Sequence, residues 1–122
     1  MKRALGILMV AAFMAAVMWA GAASAATGDE LWASKQCKNC HNMTEKKKVG
    51  PGLAGVTKKR SDEWLAKWLQ SPQAVWEENG PEVKDLRAMM KKESAPKTAM
   101  KTPAISADEA KTIIEYLKAN GG

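Results

Sequence analysis

An all-α domain is predicted for this 122-residue chain by three observations. Three segments open on Ser or Thr followed by acidic residues, the pattern of a capped helix start. Apolar residues then recur at three- and four-residue spacing, while no stretch alternates apolar and polar well enough to make a convincing strand. Three to five helices are expected.

The first begins at Thr27-Gly28-Asp29-Glu30, with Thr27 as N-cap, and its apolar face starts at Leu31 and Trp32. This helix is expected to run into the turn at Cys37. From Asn42 to Lys59 the chain is rich in Gly and Lys and reads as irregular. Ser61-Asp62-Glu63 then caps an amphipathic helix whose Trp64, Leu65, Trp68 and Leu69 share one face, and Ser71-Pro72 is expected to end it. Asn79-Gly80-Pro81 is a break, and Pro81 suits the first turn of a further helix bearing Val83, Leu86, Met89 and Met90. Ser94 to Pro103 reads as an extended loop. Ser106-Ala107-Asp108-Glu109 resembles a capping box for a last helix carrying Ile113, Ile114, Tyr116 and Leu117, which ends at Asn120-Gly121-Gly122.

Ahead of these elements stands a targeting segment. Lys2-Arg3 precedes an uncharged, Ala-rich run from Ala4 to Ala20, and Ala23-Ser24-Ala25 has the small-x-small form of a signal peptidase site. Residues 1–25 are thus expected to be a signal peptide and 26–122 the domain, a mature chain of 97 residues (122 minus 25). An uncleaved transmembrane anchor is the alternative, because the run approaches the ~20 residues a spanning helix needs. Alanine richness and the cleavage pattern favour removal, and with it no stable membrane insertion.

Ninety-seven residues make one small domain, near the lower end of what a single core supports. Removing Lys2 and Arg3 leaves a mature net charge of +4 (17 basic minus 13 acidic). Such a surface can steer an acidic protein partner. No nucleic-acid-binding motif is present. The runs Lys46-Lys47-Lys48 and Lys58-Lys59-Arg60 read first as solvated loop surface and second as docking sites.

The chemistry is concentrated in five residues. The two cysteines and the single histidine of the chain all fall in Cys37-Lys38-Asn39-Cys40-His41. Cys-x-x-Cys-His is the attachment sequence of c-type haem. Two thiols three positions apart can each add to one porphyrin vinyl group, and the next residue places an imidazole for the proximal side of the iron. A redox disulfide would call for a βαβ pattern, which is not found. A zinc site needs four ligands, and the chain has three Cys/His groups in all. A covalent haem would add a large apolar body to the core, so the apoprotein is expected to be poorly structured.

With these residues in place, the mature sequence resembles the class I bacterial cytochromes c, mono-haem and His/Met-ligated. Four signatures carry the resemblance in order: Gly28-Asp29-Glu30-Leu31-Trp32 before the haem motif; Gly50-Pro51-Gly52-Leu53-Ala54-Gly55 after it; the helix with Trp64-Leu65 and Trp68-Leu69; and a Met-containing loop leading to the helix with Tyr116-Leu117. The resemblance implies a small cytochrome c fold around one covalent haem c held by Cys37 and Cys40. It implies that the Pro51 carbonyl accepts the second imidazole N–H of His41, that Leu53 packs on the porphyrin, and that Gly28 is where the first and last helices cross. Trp64 and Trp68 are expected to line the haem pocket. A bacterial periplasm is implied as the location.

The distal ligand is a choice among methionines, because His41 is the single histidine. Met1, Met9, Met14 and Met18 lie in the signal segment. Met43 is two residues from His41, and Met89 and Met90 read as helix core. Met100 lies in the loop between Pro96 and Pro103, where the resembled family places its ligand, and is the expected distal ligand. Met90 stands next, followed by an open or lysine-ligated site. Two departures from the family pattern are visible: Lys101-Thr102 intervene between Met100 and the next proline, and Glu77 to Glu93 is long for a minimal member.

The expected function is that of an exported electron carrier, not an enzyme, cycling between ferrous and ferric iron with redox protein partners. Lys97, Lys101, Lys38 and Lys46 are its candidate docking residues. The alternatives are a haem-bearing subunit of a larger periplasmic oxidoreductase, and a haem enzyme or gas binder with an open sixth site.

Overall fold

The computed structural model describes residues 25–122. The expected signal segment lies outside the described residues apart from Ala25. Helix α1 spans Gly28–Ser34, and the Thr27 hydroxyl accepts the Glu30 N–H at 3.3 Å, as its cap pattern requires. It does not run on into the cysteines. Gln36 adopts φ 63°, a left-handed conformation that breaks the helix, and Cys37–Cys40 forms a separate turn, α2. The segment expected to be irregular contains a further single turn, α3 (Val56–Lys59), entered through Gly55 at φ 70°.

Helix α4 (Asp62–Gln70) starts where Ser61 accepts the Trp64 N–H at 3.1 Å. It ends before Pro72 as expected, yet Pro72 also opens a helix that the sequence reading did not include, α5 (Pro72–Glu78). Proline at the first helical position loses no hydrogen bond, so one residue closes one helix and starts the next. Asn79 at φ 52° ends α5, and α6 (Pro81–Met89) follows. Helix α7 (Ala107–Ala119) carries the full capping box: the Ser106 N–H donates to Glu109 Oε1 at 2.9 Å, and the Glu109 N–H donates to Ser106 Oγ at 3.1 Å. Five helices of seven or more residues and two single turns thus make an all-helical domain, with no strand among the described residues.

The main core lies between α1, α4 and α7. Leu31, Leu65, Leu69, Ile113, Ile114 and Leu117 are buried there, Ile113 at 2 % exposure. Burying side chains of this kind contributes about 1.5–3 kcal/mol each. Gly28 lets α1 and α7 approach: a Cβ at that position would lie 2.6 Å from Tyr116 Cβ. Trp32 packs beside the same ring, with centroids 5.7 Å apart. A second cluster joins Trp68 of α4 to Val75 and Trp76 of α5 and to Val83 of α6. The long segment around residues 77–93 therefore supplies core as well as length. On α6 the expected apolar stripe holds only in part: Val83 is fully buried, but Met89 is 41 % exposed. Among the described residues no helix is long and apolar enough to cross a membrane.

Candidate functional site

Between the two core clusters lies a cavity of about 520 Å³, within the ~300–1,000 Å³ range of cofactor and ligand pockets. Its walls are mostly apolar. Cys37, Cys40 and His41 all line it, and so do Pro51, Leu53, Trp64, Trp68 and Met100. Every residue singled out from the sequence as a haem contact therefore borders one space.

The α2 turn sets the geometry on the cysteine side. Cys37 is buried and Cys40 partly so, and both are free thiols. Burial pushes the Cys37 thiol up from its ordinary value, which keeps it protonated. His41 follows directly as the residue that ends α2, with its backbone extended. Its Nδ1 lies 2.8 Å from the Pro51 carbonyl oxygen. A carbonyl can only accept, so Nδ1 carries the proton and Nε2 keeps its lone pair. Burial lowers the His41 pKa and the Pro51 bond partly opposes this, so the ring is held neutral. A neutral imidazole with a free Nε2 and a fixed orientation is a ready metal ligand.

The loop opposite this motif in sequence is shaped to admit the ring. A Cβ on Gly50 would strike His41 Cε1 and come within 2.8 Å of Nδ1. A Cβ on Gly52 would strike the backbone at Thr44 and Glu45. The Gly50 N–H also bonds the Cys40 carbonyl at 2.7 Å, which joins the loop to the motif it serves.

The tryptophans form the rest of the wall. Trp64 and Trp68 are stacked, with centroids 5.4 Å apart and planes at 12°, and Trp76 is tilted against Trp68 at 6.4 Å. The Trp68 indole N–H donates to Met100 Sδ at 2.9 Å. Of the other methionines, Met89 and Met90 also line the cavity, whereas Met43 packs against the main core instead.

Residues that the sequence did not point to hold the methionine loop. Thr98 is the one buried polar side chain among the described residues, and its hydroxyl accepts the Met100 N–H at 3.1 Å. Trp76 Nε1 donates to the Ala95 carbonyl at 2.9 Å. Arg87 lies over the Trp76 ring at 4.1 Å and donates to the carbonyls of Ala95 and Trp76 at 2.7 and 3.2 Å. These bonds join side chains to distant backbone, so no local spacing betrays them.

Two thiols, a neutral imidazole and the thioethers of Met89, Met90 and Met100 border one mostly apolar cavity, the kinds of donor a covalently attached haem takes, and Gly50 leaves room for the imidazole. The residues fit that cofactor. No curated protein and no solved structure gave a significant match to the chain. The cytochrome c family model matches residues 25–120, nearly the whole of the described chain. On that match and this site, the chain belongs to the cytochrome c family, whose members are typically haem-based electron carriers rather than enzymes.

Proposed function

We propose that this protein is an exported, mono-haem, one-electron carrier in which Cys37 and Cys40 form the thioether links, His41 Nε2 is the proximal ligand and Met100 Sδ is the distal ligand. The observation that carries the reading is the sharing of one cavity by His41, its Nδ1 engaged by Pro51, and Met100, its sulfur engaged by Trp68. When bound, the haem supplies reversible exchange of one electron between ferrous and ferric iron. Pro51 fixes the imidazole plane and raises its basicity. Trp68 holds the thioether, and Leu53, Trp64 and Trp68 keep water from the pocket. A soft thioether ligand in an apolar site favours ferrous iron and thus a raised potential.

A redox titration of the purified holoprotein, followed by visible absorption, tests this function. Reversible one-electron behaviour with low-spin spectra in both states is expected. High-spin spectra with rapid carbon monoxide binding to the ferrous form would establish the open-site reading instead. Export is tested by the mass of the mature protein, expected to begin at Ala26.

Docking to an acidic redox partner is supported by Lys97 and Lys101, which border the cavity, and by the exposed Lys38 and Lys46 near the attachment motif. Raised ionic strength is expected to slow electron transfer to such a partner. Not all of the basic runs are free for this role: Lys47 Nζ donates to the Met89 carbonyl at 2.6 Å, and Arg60 pairs with Asp85.

A further inference from the structure

Residues 96–104 make no backbone–backbone hydrogen bond among the described residues, although this loop carries Met100. Loop backbone with so few partners opens easily. Its order must come from side chains, and one of them spans it. Gln73, the second residue of α5, accepts the Thr98 N–H on Oε1 at 3.0 Å and donates from Nε2 to the Pro96 carbonyl at 3.1 Å. Nε2 also donates to Glu77 Oε1 at 3.0 Å, one helical turn along α5. The partners fix the amide's orientation, because a backbone N–H can only donate and a carbonyl can only accept. The amide thus grips the loop at two backbone positions while Glu77 holds the amide. Thr98, so held, accepts the Met100 N–H on its hydroxyl at 3.1 Å.

We infer that Gln73 is a positioning residue for Met100: acting through Thr98, it holds the methionine loop closed so that Sδ stays in the cavity. The inference rests on the proposed Met100 ligation and extends it to a helix that the minimal motif pattern does not include. Gln73 does not itself line the cavity; it reaches the wall only through the backbone of Thr98. Its effect is on how often the loop opens, not on what lines the pocket.

The test is the rate at which carbon monoxide binds the ferrous holoprotein, since carbon monoxide must displace the thioether. Gln73→Leu removes the acceptor of the Thr98 N–H and both donors, and is expected to speed binding by roughly tenfold. Thr98→Val removes the acceptor of the Met100 N–H, and is expected to act in the same direction and to remain informative should Gln73→Leu fail to fold. Because the two bonds lie in series, the double variant is expected to resemble the faster single variant. Thr57→Val provides the control: it removes a bond to the Gly122 carbonyl elsewhere in the fold and is expected to lower stability without changing the rate. A Gln73→Leu protein that melts earlier but binds carbon monoxide at the parent rate would overturn the inference, as would multiplicative effects in the double variant. Met100→Ala separates the two claims. If it binds carbon monoxide no faster than the parent, the ligand assignment itself fails; if it binds fast while Gln73→Leu and Thr98→Val stay at the parent rate, only the role of Gln73 fails.

Discussion

The indole N–H of Trp68 meets the sulfur of Met100 at 2.9 Å, within a tryptophan pair stacked at 5.4 Å. The thioether has two lone pairs, and this bond occupies one while leaving the other for a metal. A donor hydrogen withdraws electron density from sulfur and makes it a weaker partner for ferric than for ferrous iron. Trp68→Phe keeps an aromatic ring but removes the donor. The reduction potential is expected to fall by tens of millivolts, up to about 60 mV if the full ~0.5–1.5 kcal/mol of a hydrogen bond is expressed between oxidation states. An unchanged potential by redox titration would show that the bond has no electronic role.

Gly50 and His41 give the second prediction. The imidazole occupies the place where a Gly50 side chain would stand. Gly50→Ala must therefore displace either the ring or the loop that carries Pro51. The ratio of haem to protein in purified material is expected to drop severalfold, with the surviving holoprotein showing altered proximal spectra. A parental ratio would mean that the ring and loop move apart at little cost.

The crossing of α1 and α7 gives the third. A Cβ at position 28 would come within 2.8 Å of Tyr116 Cδ2 as well as 2.6 Å of Cβ, so the helices must separate. Overpacking of this kind costs about 1–3 kcal/mol. Gly28→Ala is expected to lower the thermal midpoint by at least about 4 °C while leaving the visible spectrum unchanged. A shift in the ligand bands would show that the crossing also sets the haem site.

The helix starts were legible because a cap is a local event: Thr27, Ser61 and Ser106 each precede acidic residues, and each accepts the expected N–H. That Cys37, Cys40 and His41 share one wall of the cavity was legible for the same reason, since they are neighbours in the chain. Helix α5 was hidden because Pro72 satisfies two readings, and because only Val75 and Trp76 mark its buried side, too few for a period. The supports of the methionine loop were hidden more deeply. Gln73 reaches Thr98 across 25 residues, and Arg87 reaches backbone carbonyls that every residue type possesses. Neither contact selects a residue pattern in its partner, so periodicity cannot reveal it.

Glu109 supplies a pH prediction. The Ser106 N–H, together with Lys35 at 3.3 Å, holds its carboxyl below the ordinary 4.5, while partial burial works against them. A lower pKa folded than unfolded means that the native state binds fewer protons. The contribution is therefore complete above pH 4.5 and is lost as pH falls through the folded value. Glu109→Gln is expected to flatten the decline in urea midpoint between about pH 5 and pH 3 relative to the parent. Parallel declines would show that the capping carboxylate adds no acid sensitivity.

The central claim is that Met100, and not Met90, completes the coordination begun by His41. The most direct measurement is the thioether-to-iron charge-transfer band at the red edge of the ferric spectrum, compared between Met100→Ala and Met90→Ala holoproteins. The account predicts that the band disappears in Met100→Ala and persists in Met90→Ala. Its persistence in Met100→Ala would contradict the account and pass the distal position to another side chain.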